Sequence, residues 1–169
     1  EYLADQRIIL IEKGVFGGTC LNVGCIPSKM FVLPADFAVS PREAAKVNVD
    51  LQLTGTDFDA IRDRVFRLID PITAGGEAYR ATGTPNVDYI NGHARFVGPK
   101  TLSVNGRTVS ADKVLVAVGS RPTIPPIPGL DHVRYHTSDT IMRLPELPKQ
   151  LGIIGGGFIA VEMGHVFSG

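Results

Sequence analysis

The sequence predicts an α/β protein into which an antiparallel β-meander is inserted. Arg7–Glu12 is a short apolar run that ends in an acid, which is typical of a buried parallel strand. Asn105-Gly106 lies between two short strand-like runs, and both residues tolerate the positive φ of a hairpin turn. Near the end, the apolar run Gln150–Ile154 leads into a glycine turn and a helix within Gly155–Gly169. Strands and helices that are mixed in this way favour an α/β fold.

Composition excludes several classes of protein. The chain has 169 residues, with 17 Lys+Arg against 17 Asp+Glu, so its formal net charge is zero and it lacks the basic excess of a nucleic-acid binder. Hydrophobic residues make up 44%, too many for a disordered chain. The longest apolar runs, Ile8–Ile11 and Val114–Val118, are far shorter than the ~18 residues that span a bilayer. We therefore expect a cytoplasmic protein with no nucleic-acid or membrane partner.

The two ends predict an internal segment of a longer protein. The chain begins at Glu1 without Met and stops at Gly169, inside a predicted helix whose following strand is not present. We therefore expect truncation at both ends.

A predicted irregular helix and a surface excursion follow the first strand. Thr19–Val39 suits an irregular helix that Gly24, Pro27 and Pro34 interrupt. Ser40–Thr56 has no sustained period and is expected to be a surface excursion.

Asp57 is predicted to cap a long helix, because apolar residues recur after it at helical spacing, and Pro71 is expected to kink that helix.

Short strand candidates dominate the next part of the chain: Val87–Ile90, Ala94–Val97, Thr101–Val104, Arg107–Val109 and Lys113–Val118. Gly119–Gly129 contains four prolines and is a plausible linker. Ser138 or Asp139 is expected to cap a short helix after it.

The two cysteines, Cys20 and Cys25, lie in one predicted helical stretch. In an ideal helix their Cα atoms would be about 8.7 Å apart, which exceeds the ~7 Å limit for a disulfide. A bridge therefore requires a non-helical first turn, and Gly24 and Pro27 would loosen the helix enough. Because so short a loop gains only about 2 kcal/mol from a bridge, redox chemistry is favoured over a stabilising role. Two buried, inert thiols are the alternative.

Lys29 lies one turn after Cys25, and its cation and the helix N-terminus would both favour a thiolate. A solvated surface lysine is the alternative interpretation. No metal site is expected, because the four histidines show no ligand spacing.

The stretch Gly17–Lys29, GGTCLNVGCIPSK, resembles the redox-active disulfide segment of the flavin-dependent pyridine nucleotide–disulfide oxidoreductases. The resemblance implies a disulfide between Cys20, the thiol that attacks substrate, and Cys25, the thiol beside the flavin. It implies that Lys29 lies near the reducible nitrogen of the flavin.

Further FAD contacts follow from the same resemblance. Glu12 matches the acid that hydrogen-bonds the adenosine ribose, although a solvated acid at a strand end is the alternative. The resemblance implies that the other matching residues contact FAD through their backbone: Gly18, Thr19, His93 and Ala94, and Gly119 and Ser120 in a turn similar to the family's ATG-type turn.

A second dinucleotide signal lies at the end of the chain. Gly155-x-Gly157-x-x-Ala160, with Phe158 and Ile159 between, has the spacing of the fingerprint that holds a pyrophosphate at a helix N-terminus. It resembles the start of the family's NAD(P)H-binding domain, including Glu162. The residue that chooses NADH or NADPH is expected ~20 residues further on, beyond the chain.

The implied organisation is Rossmann-like. Residues 1–121 would form part of an FAD-binding domain without its opening GxGxxG unit, and the β-meander would be inserted in it. Residues 122–149 would link it to residues 150–169, the beginning of an NAD(P)-binding domain. The family's His–Glu acid–base pair is also absent, so we expect the segment alone to be inactive.

The resemblance implies an NAD(P)H-dependent, FAD-containing disulfide reductase that works as a homodimer on a small-molecule disulfide. Four stretches are most similar to the members that reduce mycothiol disulfide: CIPSKMFV, RVFRLIDPI, GGEAYR and YHTSDTIMRLPELP. Ser28, where Thr is expected in that branch, is shared with lipoamide dehydrogenases, which are the alternative. A non-catalytic dinucleotide-binding or redox-sensing module is the alternative of another class.

Overall fold

The structure, a computed structural model, describes residues 3–168. Within these limits the chain forms two compact units. The first unit comprises residues 3–18 and 71–120, and the second unit comprises residues 19–70 and 121–168. Residues 1 and 169, the outer limits of the predicted domains, lie outside the described residues. The domain boundaries at residues 121 and 149 remain predictions.

The first unit contains a parallel strand pair. Strands β1 (Ile8–Glu12) and β2 (Val87–Asn91) pair in register from Ile8 opposite Val87 to Glu12 opposite Asn91. The predicted first strand is therefore confirmed. Both carboxyl ends meet at one edge, where ligands bind in open α/β sheets.

The first unit also contains the predicted β-meander. Strands β3 (Arg95–Gly98), β4 (Thr101–Val104) and β5 (Arg107–Ser110) form an antiparallel sheet in chain order. The turn between β4 and β5 has positive φ at Asn105 (49°) and Gly106 (76°), as the hairpin signal requires.

The predicted strand Lys113–Val118 is wrong. Within residues 3–168 this run is not assigned to any strand, and the side chain of Leu115 is 91% exposed. An apolar run becomes a buried parallel strand only if neighbouring strands flank it. No described strand lies beside this one.

Two helices open the second unit, and Gly24 separates them. Helix α1 spans Gly18–Val23 and α2 spans Cys25–Ala45, so the predicted irregular helix is longer than expected and is broken once. Pro27 does not interrupt α2, because in the first turn its missing N–H is not needed. Pro34 also lies inside α2 without ending it, and the expected surface excursion therefore begins after Ala45.

The long helix predicted after Asp57 is α3, which spans Phe58–Thr82. Asp57 Oδ1 accepts a hydrogen bond of 2.9 Å from the backbone N–H of Ala60, which confirms the predicted cap. Pro71 lies inside α3 and marks the point where the chain passes from the second unit to the first.

A hydrophobic core holds the second unit together. Its buried side chains come from α2, α3, a short 3₁₀ helix (Ile141–Arg143) with the residue that follows it, and α4 (Phe158–Ser168). They are Phe31, Val65, Phe66, Ile69, Ile141, Met142, Leu144 and Met163.

The short helix expected after the linker is the 3₁₀ helix Ile141–Arg143, and it has a different cap. Thr140 occupies its N-cap position, so the prediction of Ser138 or Asp139 was wrong. The turn before it depends on Thr137, whose carbonyl accepts hydrogen bonds from the backbone N–H groups of Thr140 and Ile141 at 3.0 and 2.9 Å. Another 3₁₀ helix spans Leu130–His132.

The predicted strand Gln150–Ile154 is also wrong. It is exposed and unassigned within the part of the chain that the structure describes, with 66% of Ile154 exposed. As with the other unpaired run, no described strand flanks it.

One helical stretch, residues 18–45, has the length and the mean hydropathy (1.2) of a helix that could cross a membrane. The apolar runs read from the sequence did not indicate this stretch. Length and hydropathy are weak support for a span, because core helices of globular proteins have the same properties. Here the stretch is broken at Gly24, and its residues Phe31 and Ala35 are buried in the second unit.

Candidate active site

The two cysteines meet at the break between α1 and α2. Cys20 Sγ lies 2.8 Å from Cys25 Sγ, and both residues are exposed free thiols. Gly24 permits this approach: a Cβ at this position would lie 2.8 Å from the carbonyl oxygen of Thr19 and 3.1 Å from Cys20 Cα. The sequence indicated that Gly24 would loosen the helix, and the structure adds that it leaves no room for a side chain. A disulfide between the two sulfurs remains a prediction.

Lys29 acts on Cys25 in the expected direction, because its charge lowers the pKa of this thiol, but the proximity of Cys20 outweighs it in this reduced pair. The effect of the helix N-terminus stays a prediction. The hydrogen bond with Cys20 raises the pKa of Cys25 above its ordinary value of 9.0, and desolvation and the charge of Cys20 act in the same direction. Lys29 lowers this pKa, but it is the smallest of the causes. The Cys25 thiol therefore keeps its proton to a higher pH than an isolated cysteine does.

Lys29 is engaged in an ion pair with a residue of another helix. Its ammonium group contacts Glu162 Oε1 on α4. The Glu162 side chain is only 19% exposed, whereas that of Lys29 is 67% exposed. The pair joins two predicted site residues separated by 133 positions, and no local pattern predicted their contact.

The predicted fingerprint turn leaves its backbone open. A Cβ at Gly155 or Gly157 would meet nothing within 4 Å, and Gly155 has φ of 117°. Helix α4 begins at Phe158, and the backbone N–H of Val161 donates to the carbonyl oxygen of Gly157 at 3.1 Å. An exposed turn at a helix N-terminus fits the pyrophosphate of a dinucleotide.

Three other residues of this unit lie in or near the turn and helix start. Phe158 and Ile159 are exposed at the start of α4, and Ala160 is half-buried.

Glu12 lies at the carboxyl end of β1, where two short hydrogen bonds hold it. Its Oε1 accepts from the backbone N–H of Gly14 at 2.8 Å, and its carbonyl oxygen accepts from the N–H of Gly92 at 2.8 Å. The second bond places His93 and Ala94 at the same edge as Glu12. A carboxylate there fits a ribose, since carboxylates accept hydrogen bonds from hydroxyl groups.

The remaining predicted FAD contacts are exposed. Gly18 and Gly119 have φ of 68° and 69°, and a Cβ on either would meet nothing within 4 Å. Thr19 and Ser120 are exposed as well. Open glycine backbone fits a close approach by a dinucleotide. Thr19 and the cysteines belong to the second unit, whereas Glu12 belongs to the first.

The sequence analysis did not predict a cluster of polar side chains on one face of β2. Tyr89 donates a hydrogen bond of 2.9 Å to Glu77 Oε1 of α3, and Asn91 Nδ2 lies 3.4 Å from the same oxygen. Burial, followed by the bond to Glu77, raises the pKa of Tyr89. Tyr89 and Asn91 are two residues apart on one strand, so their side chains lie on the same face. This spacing is the sequence signal that could have indicated the cluster.

Among residues 3–168, no group of three or more His, Cys, Asp or Glu side chains could hold a metal ion.

The comparison with protein families decides the assignment of the chain. Residues 2–169 match the family described as "Pyridine nucleotide-disulphide oxidoreductase". The chain belongs to this family. The match confirms the predicted family and the predicted α/β fold. Members of this family use FAD and NAD(P)H.

Similar proteins include reductases of different substrates. The chain is 46% identical to a mycothione reductase of Mycobacterium tuberculosis, with 99% of this chain and 38% of that protein aligned. It is 36% identical to a mercuric reductase of Streptomyces lividans, over 96% of this chain and 35% of that protein. The chain spans 26–38% of the length of the curated relatives it matches.

Solved structures show the same fold. The HOCl-induced flavoprotein disulfide reductase RclA from Escherichia coli superimposes with a TM-score of 0.81 at 31% identity. The match covers 99% of this chain and 36% of that chain.

Proposed function

We propose that the protein containing this chain is an FAD- and NAD(P)H-dependent disulfide reductase in which Cys20 and Cys25 are the redox pair. The observation that carries the proposal is the 2.8 Å separation of the two exposed sulfurs at the start of α2. Two inert structural thiols would be buried, and these are not. Family membership supports the same chemistry.

The residues proposed to contact FAD comprise one acidic side chain and several open backbone positions. Glu12 would bind the ribose of the adenosine half. Backbone contacts would come from Gly18, Thr19, His93, Ala94, Gly119 and Ser120. When bound, FAD supplies the transfer of two electrons from NAD(P)H to the cysteine pair.

The glycine turn before α4 fits NAD(P)H. Gly155 and Gly157 would let the pyrophosphate approach the backbone, and the N-terminus of α4 would face it. In this proposal residues 1–121 belong to the FAD-binding domain, residues 122–149 form a linker, and residues 150–169 begin the NAD(P)-binding domain.

The thiol chemistry follows from the exposed pair. The Cys20 thiolate attacks one sulfur of the substrate disulfide, which forms a mixed disulfide and releases one thiolate. Cys25 then loses its proton and attacks Cys20 Sγ, which releases the second thiolate and leaves a Cys20–Cys25 disulfide. Two electrons and two protons give two substrate thiols. A general acid from outside this chain would protonate the leaving groups.

Lys29 is the third proposed catalytic residue. Its ion pair with Glu162 holds the ammonium group one helical turn after Cys25. There it provides a positive charge that lowers the pKa of Cys25, whereas Cys20 and desolvation raise it.

Mycothiol disulfide is the substrate that we propose. Identity is 46% to mycothione reductase, against 36% to a mercuric reductase and 32% to a glutathione reductase of Burkholderia cepacia. We also propose that the whole protein is a cytoplasmic homodimer, which follows from the family resemblance.

The test uses the full-length protein with FAD bound. NADH and NADPH oxidation is followed with mycothiol disulfide, oxidised glutathione and lipoamide, and we expect mycothiol disulfide to give the highest kcat/KM. Cys20→Ser and Cys25→Ser should each abolish the disulfide-dependent rate. Ser40→Ala is the matched control, since Ser40 also lies on α2 and bonds only the backbone of its own helix through the Asp36 carbonyl oxygen.

Three other outcomes would each contradict a different part of the proposal. A preference for lipoamide would reassign the protein to the lipoamide dehydrogenases. FAD binding without turnover of any disulfide would favour a redox-sensing module. Activity that survives both cysteine substitutions would show that the pair is not the redox centre.

A further inference from the structure

We propose that Asn105 is a positioning residue for the adenosine end of the FAD site. Its side chain holds the backbone of Gly92–Ala94 beside the end of β1, where Glu12 lies. The inference rests on the proposed function, because it assumes that Glu12, His93 and Ala94 contact FAD.

The hairpin turn does not itself require the amide side chain of Asn105. A two-residue turn with positive φ at both positions is favoured by Asn-Gly, Asp-Gly and Gly-Gly. Asn105 (49°) and Gly106 (76°) both have positive φ. Aspartate or glycine at position 105 would therefore keep the turn, so the amide is available for another role.

The amide reaches the end of another strand, in the same compact unit. Asn105 Nδ2 donates a hydrogen bond of 2.8 Å to the carbonyl oxygen of Asn91, the last residue of β2, which lies 14 positions earlier. A carbonyl group at the end of a strand is otherwise left to solvent. The bond ties the tip of the β4–β5 hairpin to the point where the chain leaves β2.

The same side chain also lies against Gly92. A Cβ on Gly92 would be 2.5 Å from Asn105 Oδ1 and 2.7 Å from Nδ2, so only glycine lets the amide reach Asn91. On its other side, Gly92 donates its N–H to the carbonyl oxygen of Glu12 at 2.8 Å. Gly92 is therefore held between Asn105 and Glu12.

This arrangement links the two parts of the proposed adenosine site. Glu12 ends β1, and His93 and Ala94 directly follow Gly92. Without the Asn105 bond, the backbone after β2 would be held only by the hydrogen bond from Gly92 to Glu12. The backbone of His93–Ala94 would then sample more conformations. Ordering it on binding would then cost affinity.

The experiment measures dissociation constants of the full-length apoprotein for FAD and for ADP. ADP is the probe for the adenosine half. Asn105→Asp keeps the turn but replaces the donor with an acceptor, and Asn105→Gly keeps the turn and removes the side chain. We expect both variants to bind FAD and ADP about fivefold more weakly, the scale of one net hydrogen bond. The melting temperature of the apoprotein should change little.

A mutant cycle tests the contact with Gly92. Gly92 lies outside the left-handed region, so alanine adds a clash with the amide without straining the backbone. Gly92→Ala should weaken FAD binding in the wild type and have no further effect in Asn105→Gly, because both substitutions remove the same hydrogen bond. Fully additive effects would contradict the proposal.

The matched control is Lys100→Gly, which alters the other meander turn, where Lys100 also has positive φ (52°). Its FAD and ADP affinities should equal those of the wild type, and an equal loss would assign the effect to meander stability. If Glu12→Ala weakens FAD binding while the Asn105 variants do not, only this inference fails. If the wild type binds no FAD, the proposed function fails and this inference fails with it.

Discussion

Lys29 on α2 and Glu162 on α4 form an ion pair that joins the cysteine-bearing helix to the helix after the glycine turn. The carboxylate is the more buried partner. Because Glu162 partly balances the charge of Lys29, it also limits the effect of Lys29 on Cys25. The pair therefore connects the reactivity of a thiol to a residue of the proposed NAD(P)-binding domain.

Replacing Glu162 should make Cys25 more acidic. In Glu162→Gln the Lys29 ammonium loses its partner and favours the Cys25 thiolate more strongly, so the pKa of Cys25 falls. At a given pH, more Cys25 is then thiolate and alkylation is faster. The measurement is the rate of iodoacetamide modification of Cys25 in the reduced protein from pH 6 to 10, followed by mass spectrometry of the peptide.

Two variants complete this comparison. Lys29→Met should move the alkylation profile of Cys25 to higher pH, because it removes a cation that lowers this pKa. His165→Asn is the control on the same helix, since His165 pairs with Asp36 and not with Lys29. A Glu162→Gln profile that matches the wild type would show that the ion pair does not control Cys25.

Removing Cys20 should also lower the pKa of Cys25. The hydrogen bond with Cys20 is the largest cause of its raised value. In Cys20→Ala this bond and the neighbouring charge are absent, so the thiolate of Cys25 forms at a lower pH than in the reduced wild type. Cys20→Ser keeps a hydroxyl group at the same place and should show a smaller decrease. An increase in either variant would reverse the proposed coupling.

Local signals in the sequence predicted much of the fold. The strand at β1, the Asp57 cap and the Asn105-Gly106 turn each depend on a few adjacent residues whose backbone preferences are strong. Lys113–Val118 and Gln150–Ile154 have equally clear apolar patterns, but a strand also needs neighbours to pair with. Their expected pairing is the part of the prediction that failed.

The site was predicted as a set of residues and not as a set of contacts. The cysteines, Lys29, Glu12 and Glu162 carry recognisable motifs. The contacts of Lys29 with Glu162 and of Asn105 with Asn91 join residues on different elements, and no local pattern specifies them. The raised pKa of Cys25 could not be predicted for the same reason, since it depends on how close Cys20 lies.

Arg143 should stabilise the second unit through two contacts with α3. Its guanidinium donates to Asp70 Oδ1 at 2.7 Å, and its Cζ lies 3.6 Å from the centre of the Phe66 ring. The side chains of the ion pair are about half exposed, so the charge contributes little and the ring contact accounts for much of the effect. We expect Arg143→Ala to lower the free energy of unfolding by about 1 kcal/mol.

Urea denaturation of the full-length protein measures this effect. Arg143→Lys keeps the charge but loses the planar stacking, and it should recover only part of the loss. Arg42→Ala is the control, because Arg42 pairs with Glu43 on the exposed surface of α2 and should not change stability measurably. Equal stability of Arg143→Ala and the wild type would contradict the assigned role.

Gly24 should determine whether the two cysteines can form a bridge. A Cβ at this position would lie 2.8 Å from the carbonyl oxygen of Thr19, a backbone atom that can move away only if α1 shifts relative to α2. The shift would separate Cys20 from Cys25. We therefore expect Gly24→Ala to slow formation of the disulfide and to lower its equilibrium constant against glutathione, by about tenfold or more, because effective concentration depends strongly on geometry.

The measurement is the fraction of bridged protein at a series of glutathione ratios, with free thiols trapped by alkylation and counted by intact mass. Gly75→Ala is the matched control: Gly75 lies inside α3, and a Cβ there would meet nothing within 4 Å. Alanine at that position should leave the redox equilibrium of the cysteines unchanged and favour the helix slightly. If Gly24→Ala behaves like Gly75→Ala, the close approach of α1 and α2 is not what brings the sulfurs together. Any bridge would then depend on flexibility of the first turn.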